Sequence, residues 1–270
     1  MRVLFCGDIV GKSGRKLVAS CLPKLKKQLC LDMVIVNGEN AAHGFGITPR
    51  IYDELIRNGV HVITLGNHSF DKSDIFPVLD SAQNIIRPLN YPENTIGKGW
   101  CFHTTEKGIR VAVVQLLGHT FMRAVADPFE CVEKWIKTYN RTEHYDILIV
   151  DFHAEATAEK VALGHFLDGY AGLVAGTHTH IPTADAHILN GGTAYISDIG
   201  MCGDYDSVIG MKKEGALIRF LTPDKKGRLQ PAEAEGTFCA VCADIDEKTG
   251  LATQIFPVRI GAALENTHQI

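Results

Sequence analysis

Short apolar runs, nearly free of charge and rich in β-branched residues, recur along the chain: Val3-Leu4-Phe5-Cys6, Met33-Val34-Ile35-Val36, Val60 to Leu65, Ile147-Leu148-Ile149-Val150 and Leu173-Val174-Ala175. Runs of this kind predict parallel strands buried on both faces. Directly behind each stands a polar cluster, in order Gly7-Asp8, Gly38-Glu39-Asn40, Gly66-Asn67-His68, Phe152-His153 and Gly176-Thr177-His178-Thr179-His180. Each cluster therefore falls at the C-terminal end of a strand, and in open parallel sheets those ends line one crevice. One Asp, one Glu, two Asn and four His, distant in sequence, are expected to converge there. Carboxylate, amide oxygen and imidazole together form the ligand set of a hard to borderline metal ion.

Helical patterns separate these runs, which gives the first two thirds a β-α-β-α alternation. Leu17, Val18, Cys21, Leu22, Leu25 and Leu29 recur at three and four and form one apolar face, with Pro23 expected to kink the helix. Thr48-Pro49 and Asp127-Pro128 pair an N-cap with a proline at the first helical position. Ser73 and Thr157 are candidate caps for two more helices. After His180 the pattern changes to strands with Gly and Asp turns: Thr193 to Ser197, Gly215 to Leu221, Thr237 to Ile245 and Ile255 to Ile260. These predict a second sheet packed on the first, within a single domain over residues 1–270.

At 270 residues the chain can bury a sizeable core, and its composition, 46% hydrophobic and 21% charged with a net charge of -4, is that of a globular protein. That charge offers no bulk attraction to nucleic acid or anionic lipid. The basic groups Lys24, Lys26 and Lys27, Lys212-Lys213 and Lys225-Lys226 are small and read as solvated faces. No apolar stretch approaches the roughly 20 residues of a membrane span. The first strand begins at residue 2 or 3, leaving no room for a signal peptide, so a cytoplasmic location and reduced thiols are expected for the eight cysteines. Cys239 and Cys242 have the spacing of a zinc or redox pair, but the second pair is missing and the surrounding pattern is that of a strand.

The segment Gly7-Asp-Ile-Val-Gly11-Lys12-Ser13, behind a strand and before a helix, suggests a nucleotide triphosphate loop. Such a loop needs four residues between its glycines to wrap a phosphate in backbone N–H groups, and three are present. It would also leave Glu39, Asn67, His153, His178 and His180 without a role.

A second reading uses all five clusters. In order and spacing they resemble the calcineurin-like metallophosphoesterases. Asn37-Gly-Glu-Asn-Ala-Ala-His43-Gly, Ile63-Thr-Leu-Gly-Asn-His68, Asp151-Phe-His-Ala-Glu-Ala156 and Gly176-Thr-His-Thr-His180 are similar to the bacterial YmdB-like branch of that superfamily. The resemblance spans essentially the whole chain and implies a four-layer α/β/β/α sandwich, two central mixed sheets flanked by helices. The superfamily's first motif carries a His two residues after the Asp, where this chain has Val10. Glu39-Asn40 replaces the usual second motif, so Asn40 is inferred to take the place of the missing His. A hydrogen bond from Asn40 to Asp8, outside the metal, is the other reading.

Carried onto matching positions, the resemblance assigns Asp8, Glu39, Asn40 and His180 to one metal, and Glu39, Asn67, His153 and His178 to a second. A carboxylate bridging two cations holds them about 3.5 to 4 Å apart, where a shared hydroxide can attack phosphorus. His68, next to Asn67, is the candidate acid that protonates the leaving alkoxide. His43, in the loop Ala42-His-Gly-Phe-Gly46, is either a substrate contact or an ordinary exposed loop histidine. Asp198, Asp204 and Asp206, among Gly200, Gly203 and Gly210, read as turn residues. A lone His at a strand end is more often structural than a ligand, but five coordinated clusters reverse that balance. The donor set lacks thiolate, which favours iron, then manganese, over zinc. The resemblance implies a dinuclear phosphodiesterase opening 2',3'-cyclic nucleotides, or RNA ends of the same chemistry, to 3'-phosphates. A nucleotide-binding regulator with incidental hydrolysis and a phosphomonoesterase are the alternatives. A homo-oligomer is compatible with this reading, and no membrane partner is expected.

Overall fold

The computed structural model describes residues 1–122, 125–222, 224–225 and 227–268; Lys226, half of one basic pair, lies outside them. The chain runs through β1 (Arg2–Ile9), α1 (Gly11–Gln28), β2 (Met33–Asn37), α2 (Pro49–Arg57), β3 (Val62–Thr64), α3 (Phe76–Ser81), β4 (Ile85–Ile86), β5 (Trp100–Thr104) and β6 (Arg110–Leu117). It continues through α4 (Pro128–Thr138), β7 (Ile147–His153), α5 (Thr157–Phe166), β8 (Leu173–Thr177), β9 (His187–Ile188), β10 (Ala194–Ile196), β11 (Met201–Cys202), α6 (Lys213–Leu221), β12 (Thr237–Ile245) and β13 (Ala252–Gly261).

One sheet has the order β13-β12-β1-β2-β3-β4, with β11 added parallel to the end of β1; the other is β5-β6-β7-β8-β10-β9. Both are mixed. β1 to β4 are mutually parallel, as are β6, β7, β8 and β10, while β12, β13, β5 and β9 run antiparallel to their neighbours. Alternation along each central strand sends side chains to two cores. From β1, Val3 and Phe5 meet Val113, Ile149 and Ala175 between the sheets, whereas Leu4 and Cys6 face α1 through Val18, Leu22 and Leu25. On the far side Val114, Val150 and Phe152 pack with Val132 and Trp135 of α4 and Leu163 of α5. Helices, sheet, sheet, helices are thus the four layers expected. Phe5, Phe152 and Phe238 are wholly buried, and each such side chain contributes about 1.5–3 kcal/mol over its exposed state.

The proline-led helices start where the sequence places them: Thr48 Oγ1 accepts the Ile51 N–H, and Asp127 Oδ1 accepts those of Phe129 and Glu130. Three expectations need correction. The two sheets do not divide at His180, because β7 and β8 already belong to the second sheet and β12 and β13 return to the first. Pairing of β7 with β6 and of β8 with β10, and not with β1 to β4, leaves the polar clusters on two sheets instead of one. Gly215 to Leu221 is helical, the body of α6, and not a strand. Neither Ser73 nor Thr157 caps a helix with its side chain; each is the first residue of a helical turn. Cys239 and Cys242 lie within β12, and all eight cysteines are free. Among the described residues no helix is long and apolar enough to cross a membrane.

Candidate metal centre

The ends of β1, β2 and β3 face the ends of β7 and β8 across the gap between the sheets, so the five clusters meet although they belong to different sheets. Asn37 ends β2 and stitches it to its neighbour: its Oδ1 accepts the Glu39 N–H (3.1 Å), and its Nδ2 donates to the Leu65 carbonyl (2.6 Å). That turn delivers Glu39, only 1% exposed, into the gap. Glu39 Oε2 accepts the His68 backbone N–H (2.9 Å) and Oε1 lies 3.1 Å from His153 Nε2. A side chain on Gly66 would overlap Glu39 Oε2 and stand 2.5 Å from His153 Nε2, so glycine is what lets the Gly66-Asn67-His68 turn close on the site.

His153 Nε2 is the hub. It lies 3.0 Å from Asn67 Oδ1 and 3.1 Å from His178 Nδ1, besides Glu39. The opposite nitrogen, Nδ1, is 2.8 Å from Thr177 Oγ1, and that hydroxyl donates to Asp151 Oδ1 (2.7 Å). With the hydroxyl proton so committed, Nδ1–H donates to Thr177, which leaves Nε2 facing the gap as the nitrogen that offers a lone pair once its own proton is lost. Asp151 is itself held by Gln115 Nε2 (2.9 Å). Glu39, His153 and His178 alone put three ligand atoms within 4.8 Å of one another.

Beside them Asn40 Oδ1 and His180 Nε2 are 3.2 Å apart. Each is aimed by its other end: Asn40 Nδ2 donates to the Gly44 carbonyl (2.9 Å), and His180 Nδ1 to that of Ile209 (2.8 Å). Asp8, wholly buried, accepts the His178 N–H on Oδ2 (3.1 Å), while its Oδ1 has no hydrogen-bond partner among the described residues and lies 3.9 Å from His153 Nδ1. An orphaned buried carboxylate oxygen costs several kcal/mol unless a cation satisfies it.

The loop carrying both His178 and His180 is strained, with φ of 100° and 67° at residues that are not glycine. Asp198 Oδ2 accepts the Thr179 N–H between them (3.1 Å), and Lys160 Nζ donates to that carboxylate (2.6 Å) and to the Thr177 carbonyl (2.9 Å). Asp198 does serve a turn, accepting the Gly200 N–H, and so does Asp204, which accepts that of Asp206. The buried ion pair beneath the loop was not legible in the sequence.

The balance of charge in the gap favours a bound cation. Burial pushes Asp8 upward and Asp151 to about 6. Burial also opposes ionisation of Glu39 and His153, but their mutual attraction outweighs it, lowering Glu39 and lifting His153 to about 9. Burial, then the His153 charge, pushes His178 down to about 3. Three carboxyl groups thus surround one imidazolium, and the proton of His153 is the one a metal bound there would displace. The residues present fit a metal centre by donor type, by convergence and by the unsatisfied Asp8 oxygen.

Above the donors opens a cavity of about 260 Å³ lined by Glu39, Asn40, His178 and His180 on its floor and by Phe45, Ile209, Met211 and Leu229 on its apolar sides. His68 lines it too, its Nδ1 2.7 Å from Asp71 Oδ2 and its ring edge-on to Phe45 at 5.0 Å. Glu155 Oε2 reaches His178 Nε2 (3.3 Å) from the rim. Asp71 and Glu155 are site residues that the sequence reading missed. His43, exposed and with φ of 57°, lines a neighbouring cavity, not this one. The Gly7 to Ser13 segment forms no phosphate loop, since Gly7 and Asp8 lie inside β1 and Gly11 opens α1.

A family model described as YmdB-like protein matches residues 4–258. The chain belongs to the YmdB-like family. It is 46% identical over 255 residues to the 2',3'-cyclic-nucleotide 2'-phosphodiesterase of Bacillus subtilis (strain 168), covering 94% of this chain and 95% of that protein. Its fold matches that of a hypothetical protein from Thermus thermophilus with a TM-score of 0.90 and 39% identity, over 97% of this chain and 100% of the other. A novel phosphatase from Mycoplasma pneumoniae gives a TM-score of 0.89 and 33% identity, over 97% of this chain and 93% of that one. This YmdB-like chain has the metallophosphoesterase fold and is an enzyme of phosphoester hydrolysis.

Proposed function

We propose that the chain hydrolyses 2',3'-cyclic nucleotides at the 2' oxygen, leaving 3'-phosphates, with two metal ions in the gap between its sheets. The observation that carries this reading is the convergence of oxygen and nitrogen donors in one gap, beside an Asp8 Oδ1 that accepts no hydrogen bond, in a relative of a 2',3'-cyclic-nucleotide 2'-phosphodiesterase. Asp8, Glu39, Asn40 and His180 would hold one ion and Glu39, Asn67, His153 and His178 the other. Such a pair supplies an activated water, Lewis acidity at phosphorus and positive charge against the phosphate. Iron, then manganese, suits this thiolate-free donor set.

The chain's own groups do the rest. His68 donates Nδ1–H to Asp71, which leaves Nε2 to carry the proton that passes to the departing 2' oxygen. Phe45, Ile209, Met211 and Leu229 offer an apolar bed for the nucleoside and exclude water from the reacting phosphate. The closed geometry of the Thr177 and Ile209 contacts keeps both imidazole rings in their ligand tautomers.

Purified protein loaded with iron or manganese should convert 2',3'-cyclic AMP to 3'-AMP and stop there, and a chelator should abolish the reaction. Further conversion of 3'-AMP to adenosine at a comparable rate would make it a phosphomonoesterase. No product from protein carrying two metals per chain would leave the regulatory reading in its place.

A further inference from the structure

The two lysines of the Lys212-Lys213 pair do different things. Lys213 is tied to Asp206, whereas neither Lys212 nor Arg228 forms an ion pair among the described residues. Both line a cavity of about 520 Å³ together with His43, Gln230 and Pro231. That cavity adjoins the metal centre, because Leu229 belongs to the walls of both. The wall between them is built from two segments held side by side: the Lys212 N–H donates to the Gln230 carbonyl (2.8 Å), and Met211 bridges to Pro231. In each segment an apolar residue, Met211 or Leu229, lines the metal-centre cavity, and its cationic neighbour, Lys212 or Arg228, lines the annex. Within the annex one carboxylate, Glu233, stands against these two cations, and Lys212 also borders a second surface cavity that Asp204, Asp206 and Glu214 line.

Lys and Arg side chains without an ion pair can hold a phosphate, Arg by paired hydrogen bonds and Lys as a point charge. The reacting cyclic phosphate already occupies the 2' and 3' oxygens of its ribose. Any further phosphate on such a substrate must therefore lie on the 5' side. We propose that the annex binds that second phosphate, so that the favoured substrates carry a 5'-side phosphate as well as the 2',3'-cyclic one. This rests on the function proposed above and names its substrate class. The second phosphate can be a terminal 5'-monophosphate or the internucleotide phosphate of an RNA end.

Three substrates separate the possibilities: 2',3'-cyclic AMP, its 5'-phosphorylated form, and ApA ending in a 2',3'-cyclic phosphate. The wild-type protein should show a lower KM for one or both of the last two, rising more steeply with salt than the value for unmodified 2',3'-cyclic AMP. Lys212→Ala combined with Arg228→Ala should raise that KM about tenfold with kcat unchanged, while 2',3'-cyclic AMP keeps its wild-type KM. Lys213→Ala should change nothing. An effect confined to the dinucleotide identifies an RNA end, and one confined to the 5'-phosphorylated form identifies a mononucleotide. Equal KM values for all three substrates, or a loss in the double variant that 2',3'-cyclic AMP shares, would overturn the proposal. Calorimetric binding of the same ligands to metal-stripped protein repeats the comparison without turnover. Failure to hydrolyse 2',3'-cyclic AMP therefore counts against the proposed function, and failure to discriminate in binding counts against the annex.

Discussion

Lys160 and Asp198 reach almost no water, yet they form an ion pair 2.6 Å long beneath the loop that bears His178 and His180. Removing one partner of a buried pair strands the other, so Lys160→Met is expected to cost about 3–5 kcal/mol of stability, measured by urea denaturation. The strained loop should relax with it, and metal titration should show weaker binding even in folded variant protein. Unchanged affinity would make the pair purely structural. His68 and Asp71 form a second couple, 2.7 Å apart, with His68 in the wall of the cavity above the donors. His68→Ala should lower kcat by about 10²–10⁴. Asp71→Asn leaves the ring but removes the charge that orients it, and about a tenfold loss in kcat is expected. The clusters behind apolar runs made the donor types legible from sequence. What stayed hidden were partners that no local pattern announces: Lys160 lies 38 residues from Asp198, and Asp71 and Glu155 look like ordinary exposed carboxylates.

At the scale of elements, β2 and β3 are joined by more than their backbone ladder. His61, just before β3, donates its N–H to the Val34 carbonyl (3.0 Å) and accepts the Val34 N–H on Nδ1 (2.9 Å). The ring must be neutral to accept, and burial, with the charges of Lys26 and His103, lowers it from 6.5 to about 4. In that window the unfolded chain binds the proton and the folded chain does not. Stability present above pH 6.5 should therefore be lost as the pH falls toward 4, by on the order of 1 kcal/mol given partial solvent screening. Urea unfolding of wild type and His61→Gln at pH 7 and 4.5 checks this, since the variant should lose less over the same range. Parallel strands such as β2 and β3 were legible because burial on both faces imposes continuous apolar runs. α6 was not. Lys213-Glu-Gly-Ala-Leu-Ile-Arg-Phe-Leu221 buries only Ala216, so no helical stripe marks it, and a short apolar run after a glycine reads equally as a strand. Its Lys, Glu, Ala, Leu and Arg residues are good helix formers, and intrinsic preference decides where packing does not.

For the whole molecule, the consequence of the sheet assignment is mechanical. The sequence places all five clusters on one crevice but does not reveal that β1, β2 and β3 lie in one sheet and β7 and β8 in the other, because strand pairing is fixed by contacts between distant residues. Asp8, Glu39, Asn40 and Asn67 thus come from one layer, and His153, His178 and His180 from the other. A metal bound to both sets ties the two sheets together at the open end of the core between them. Without that tie, the same end carries buried carboxyl groups and an unsatisfied Asp8 oxygen. Metal at about 100 times its dissociation constant should add about 2.7 kcal/mol of stability by mass action. For a chain of this size that is a rise in Tm of roughly 5–10 °C. Calorimetry of chelated protein titrated with manganese should show the rise, with little or none in Glu39→Gln, whose side chain no longer offers a shared carboxylate. An equal rise in that variant would locate the stabilising ion elsewhere and separate the donor cluster from the binding of metal.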